Sequence, residues 1–69
     1  MTVLNSIELE GVSQDGWRQA ALEALAEASK TLRNIQRMDV IGTSAVVRSD
    51  AVTEYRTQVR LTFEVDPAR

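Results

Sequence analysis

The stretch that decides the fold is Val52-Thr53-Glu54-Tyr55-Arg56-Thr57-Gln58-Val59-Arg60-Leu61-Thr62-Phe63-Glu64-Val65. Tyr55, Thr57, Val59, Leu61, Phe63 and Val65 recur at every second position, with Arg56, Gln58, Arg60, Thr62 and Glu64 between them. Side chains alternate across a strand, so this pattern is a long β-strand with one apolar and one polar face. Asp66-Pro67 ends it. Upstream, Ser49-Asp50-Ala51 is a polar turn, and residues 37–48 read as a second strand that forms a hairpin with the first. Here Met38, Val40 and Val46 are expected on one face, and Ile41, Ala45 and Val47 on the other. A half-buried strand should alternate, whereas one covered on both sides need not. One face can lie on a helix. A chain of 69 residues has nothing left for the other, which points to a neighbouring subunit.

The N-terminal half supplies a strand and a helix. Residues 3–10 contain Ile7-Glu8-Leu9-Glu10, a clean period of two, and Gly11 is expected to break the strand. Residues 14–34 read as a helix. Trp17, Ala21, Leu25, Ala28 and Leu32 fall on one stripe, with Ala20 and Ala24 beside it. Ser13 is placed to cap the first turn, Asp15 to meet its positive dipole, and Lys30 and Arg33 to meet the negative end. The alanines give a thin face that can sit close against a sheet. The order is β-α-β-β, an α+β class with an antiparallel sheet and one helix, in a single domain over 1–69.

Composition restricts how such a small unit is stabilised and what it does. There is no cysteine, so no disulfide, and no histidine, which nearly removes a structural zinc site. Small domains without these devices are marginal monomers or oligomer subunits, and self-association is the expectation. Ten acidic and eight basic residues are mixed along the chain, and one Trp, one Tyr and one Phe offer no stacking platform, so no nucleic-acid partner is expected. No apolar run approaches the ~20 residues of a membrane span. Met1-Thr2-Val3-Leu4-Asn5 lacks the basic and apolar segments of a signal peptide, so the expected location is the cytoplasm. Catalysis is not expected. Histidine and cysteine are absent, Ser13 reads as a cap, and Gly11, Gly16 and Gly42 are scattered rather than grouped in a phosphate loop.

Taken together, several stretches resemble the dodecin family. They are Ile7-Glu8-Leu9-Glu10-Gly11-Val12-Ser13, Trp17 with the alanine-rich helix, Ala28-Ser29-Lys30-Thr31-Leu32-Arg33-Asn34-Ile35, Val52-Thr53-Glu54-Tyr55-Arg56 and Leu61-Thr62-Phe63-Glu64-Val65. The resemblance implies a βαββ fold with a three-stranded antiparallel sheet curled around one helix. It also implies a hollow homododecamer built from trimers that stores or quenches flavins such as FMN or riboflavin without using them in catalysis. In flavin-binding members a Trp a few residues after the helix stacks on the isoalloxazine ring, a Gln follows the Tyr of the third strand, and an Arg is common later in the second strand. The corresponding residues here are Arg37, Arg56 and Ser44.

The candidate ligand-binding residues are therefore Arg37, Met38, Asp39, Ser44, Arg56 and Gln58, with no metal ligand assigned. Arg37 and Arg56 either form an anion or ring-stacking site or pair with Asp39, Glu54 or Glu64 at a subunit contact. Three functional readings stay open. One is a dodecin-like binding protein with flavin binding weakened, altered or lost. Another is a flavin-sequestering protein that uses arginines and Met38 in place of Trp. The third is a structural or cation-binding assembly drawing calcium or magnesium to Asp39, Asp50, Glu54 or Asp66.

Overall fold

The computed structural model describes residues 2–65. Strand β1 (Val3–Ser13) leads to helix α1 (Trp17–Ala28), followed by β2 (Ile35–Arg48) and β3 (Ala51–Val65). The sheet order is β1-β3-β2 and both pairings are antiparallel, so the alternating strand quoted first is the central one. That position explains its regularity. β3 is flanked on both sides by strands and its inner face meets the helix, so Thr57, Val59 and Leu61 are buried there. Ala21, Ala24 and Ala28 complete the core, with Ile7, Leu9, Leu25, Leu32, Ile35 and Met38 packed around it.

The helix is shorter than its apolar periodicity predicts. It begins at Trp17, after Gly16 at φ 143°, and no side chain caps it. Ser13 is the last residue of β1. Its Oγ accepts from the Asp15 amide at 2.9 Å, so it organises the turn before the helix and does not cap it. Asp15 accordingly precedes the first turn. At the other end the hydrogen bonds tighten: the Lys30 and Thr31 amides donate to the Glu27 and Ala28 carbonyls at 3.2 and 3.1 Å. Asn34, at φ 62°, then turns the chain back, a conformation that Asn tolerates better than most residues. Lys30 and Arg33 lie in this exit and not in the helix's last turn.

β1 runs past Gly11, where a break was expected. Gly11 pairs with Thr57, Val12 with Arg56 and Ser13 with Tyr55. The glycine is needed for proximity, because a Cβ there would lie 1.8 Å from the Ala20 carbonyl oxygen. The helix with its small face therefore seats directly on β1. At the hairpin the turn is the pair Ser49-Asp50, both left-handed (φ 52° and 65°), while Ala51 already belongs to β3. Two consecutive positive φ values are the type I′ geometry that matches strand twist.

β2 carries the main correction to the expected faces. The register slips between Val40 and Gly42, which leaves Ile41 as a bulge. A bulge inverts the alternation beyond it. Met38 and Val40 pair with Leu61 and Val59 on the helix side, but Ala45, opposite Tyr55, shares that side too, and Val46, opposite Glu54, faces away. Trp17 also departs from a simple core position. It is 45% exposed, its ring meets Tyr55 edge-on at 4.8 Å, and its Nε1 donates to the Ser44 carbonyl at 2.8 Å. Thr57 Oγ1 donates to the Trp17 carbonyl, also at 2.8 Å, so this residue pins the helix start to the hairpin.

A helix of 12 residues is about 18 Å long, whereas the molecule extends 55 Å along its longest axis. The hairpin therefore outruns the helix. Its apolar tip stays open, with Val47 60% and Val52 48% exposed, and Val40, beside the helix on β2, is 58% exposed as well.

Candidate functional site

The register separates the candidate residues into two groups. Arg37, Asp39, Ser44, Arg56 and Gln58 belong to the face turned away from the helix. Arg37 lies opposite Thr62, Asp39 opposite Arg60 and Ser44 opposite Arg56. Met38, opposite Leu61, is on the helix side and packs against the core. Within the first group, Arg37 and Arg56 are not neighbours. The β3 residues beside them, Thr62 and Arg56 itself, are separated by about 20 Å at a strand's rise of ~3.4 Å per residue. Within one subunit the two guanidinium groups do not share a ligand.

Each of these arginines already has a carboxylate. Arg37 Nε donates to Asp39 Oδ2 at 3.1 Å, and its Nη2 to Thr62 Oγ1 at 3.4 Å. The Arg37 side chain lies over Thr62, which explains why that threonine is buried on the face expected to be polar. Arg56 sits between Glu54 at 2.6 Å and Glu10 at 3.3 Å. The hydrogen bond and charge of Glu54, with a smaller contribution from Glu10, hold the Arg56 guanidinium above its ordinary pKa. Arg60 donates to Glu8 at 2.9 Å, and Gln58 Nε2 reaches the same carboxylate at 3.5 Å. Glu64 accepts from Gln36 at 3.0 Å and pairs with neither candidate arginine. The outer face is thus a ladder of neutralised pairs across three strands, the cross-strand unit of sheet stabilisation. These pairs are solvent-accessible and each contributes little to stability.

The helix side has a different character. A cleft of about 370 Å³ opens between α1 and β2, lined by Trp17, Arg18, Ala21, Leu22, Met38, Val40, Thr43 and Thr57. A second, of similar volume, lies past Met38 against Leu25, Ser29, Ile35, Gln36 and Arg37. Arg37 thus stands at a boundary, with its guanidinium on the outer ladder and its residue on the rim of the second cleft. The first cleft escaped the sequence reading because Leu22 lies off the helical stripe and Val40 was assigned to covered sheet. Among the described residues, no three acidic groups come together to hold a metal ion. Asp39, Asp50 and Glu54 are separate, and Asp66 lies outside the described residues. No helix among the described residues is long and apolar enough to cross a membrane.

Comparison with known proteins gives a single answer. The family model for Dodecin matches residues 3–66. The chain is 32% identical over 69 residues to the calcium dodecin of Mycobacterium tuberculosis, covering 100% of this chain and 97% of that protein. It is 31% identical over 64 residues to the dodecin of Thermus thermophilus, covering 93% of each. The solved dodecin of Streptomyces coelicolor superposes with a TM-score of 0.92 at 25% identity, covering 97% of this chain and 96% of that one. With the βαββ order, the antiparallel sheet and the helix seated on it, these likenesses settle the matter: the chain belongs to the dodecin family.

Proposed function

We propose that this protein is a homododecameric small-molecule binding or storage protein, built from trimers, in which flavin binding is weakened relative to flavin-storing dodecins, and that it is not an enzyme. The observation that carries the reading is Arg37. It stands where flavin-binding relatives place the ring-stacking Trp, and it is held by Asp39 and Thr62. A guanidinium can stack on a planar ring, but one turned to a carboxylate and a hydroxyl offers less apolar area than an indole. Arg56, in place of a neutral Gln, is likewise engaged by Glu54 and Glu10. The assembly itself is supported by the exposed valines of the hairpin, which need a cover that one chain does not provide.

The test is a titration of FMN and riboflavin followed by loss of flavin fluorescence. The wild-type protein is expected to quench neither at micromolar concentration. Arg37→Trp is expected to bind at least tenfold more tightly, because it restores a stacking surface. Strong quenching by the wild type would overturn the weakened-flavin reading. An Arg37→Trp variant that assembles yet quenches no better would overturn the placement of the site at Arg37.

A second reading, cation binding, draws support from the 32% identity to a protein named a calcium dodecin. Because the described carboxylates do not cluster within one subunit, such a site would combine groups from several. Equilibrium dialysis against calcium, with and without Asp39→Asn, separates the two readings.

A further inference from the structure

Two apolar features of this chain lie in different places and match each other. One is the cleft between α1 and β2, with Trp17, Leu22 and Val40 on its walls and Arg18 and Thr43 among its polar groups. The other is the tip of the β2–β3 hairpin, where Val47 and Val52 stand opposite each other in register and are 60% and 48% exposed. The tip cannot reach its own cleft. β2 and β3 are paired along their whole length, and the helix start is pinned at Ser44, so the residues beyond project past the helix. Charge offers one pairing. Arg18 borders the cleft and forms no ion pair with any described residue. On the turn between the two valines Asp50 is likewise without one among the described residues, as is Arg48 near it, so that Asp50 is the tip's one group that complements Arg18.

We propose that the α1–β2 cleft is the seat of the hairpin tip of a second copy of this chain, with Val47 and Val52 against Trp17 and Val40, and Asp50 beside Arg18. The proposal rests on the oligomeric reading above and goes beyond it by naming the surfaces. A contact between two different patches is heterologous: each copy donates a tip and receives one, and a rotation that closes produces a ring. Such a ring, once closed, leaves no exposed valine tip and no empty cleft. It also gives Trp17 a second task, since the residue that anchors the helix to the hairpin becomes part of the wall that receives the neighbour.

The chain has no cysteine, so engineered thiols report this contact without background. The double variant Val40→Cys/Val52→Cys is expected, after mild oxidation of the assembled protein, to give covalent dimers and trimers on a non-reducing gel, while each single variant stays monomeric on the gel. A second arm leaves the core untouched. Arg18→Glu alone and Asp50→Arg alone are expected to shift assembly to at least tenfold higher protomer concentration, and the double exchange to restore it. A double-cysteine protein that assembles but forms no interchain disulfide, or a charge exchange that fails to restore assembly, overturns this contact and leaves the oligomer intact. A wild-type protein that stays monomeric overturns both.

Discussion

Gly11→Ala is expected to be among the most damaging single substitutions, lowering stability by about 3 kcal/mol. A methyl group on Gly11 would come within 1.8 Å of the Ala20 carbonyl oxygen, 2.8 Å of the Ala20 carbonyl carbon and 3.2 Å of the Ala24 Cβ. The two nearest atoms are backbone, which cannot swing aside as a side chain can. The helix must rise from β1, and Ala20, Ala21, Ala24 and Ala28 would lose the contact that buries them. The helix's alanines fill little volume, so a small separation opens a gap along the whole interface. Gly42→Ala is the control. Nothing lies within 4 Å of a Cβ there, and its stability is expected to change by less than about 1 kcal/mol. Urea midpoints of the two variants, read at one fixed protomer concentration because assembly contributes to stability, decide the matter. Equal midpoints would contradict the close seating of the helix.

Leu61→Ala is expected to cost about 2–5 kcal/mol, the range for truncating a large, fully buried aliphatic side chain. Leu61 is 0% exposed at the centre of the central strand, with Ile7 opposite it on β1 and Met38 opposite it on β2. Both neighbours are themselves only partly buried, so little side chain is available to refill the space. The comparison is Val52→Ala at the hairpin tip. If the tip is open, its truncation is nearly neutral in the isolated subunit, and if a neighbour covers it, the loss appears as weaker assembly. A Leu61→Ala protein with the wild-type urea midpoint would show that the core lies elsewhere.

These two positions also mark where sequence was and was not informative. Leu61 could be read directly, because β3 lies between two strands and under a helix, and its environment imposes strict alternation. Gly11 was visible but its meaning was not. In a strand, glycine signals either a break or a close approach, and only the helix overhead distinguishes them. The ends of α1 were overrun for a related reason. Leu32 continues the apolar spacing and packs on the core, but it does so from a tight exit that begins at Ser29. On β2 the bulge at Ile41 leaves no mark in a run where residues on both sides are apolar, so the faces assigned beyond it were inverted. Of the candidate site, the type and strand of each residue were legible. The pairing that neutralises Arg37, Arg56 and Arg60 depends on cross-strand register, and the cleft beside Trp17 depends on where the helix starts. Neither is encoded in local spacing.

The outer ladder of Arg37, Arg56 and Arg60 is satisfied within the subunit, while the hairpin valines and the cleft beside the helix stay uncovered. That uncovered apolar surface supports reading the chain as one part of a closed assembly. Native mass spectrometry of the untagged protein tests it most directly. A dominant species of about twelve times the 7.7 kDa of one chain, retaining no flavin, is expected. A folded, stable species at the mass of a single chain would contradict it.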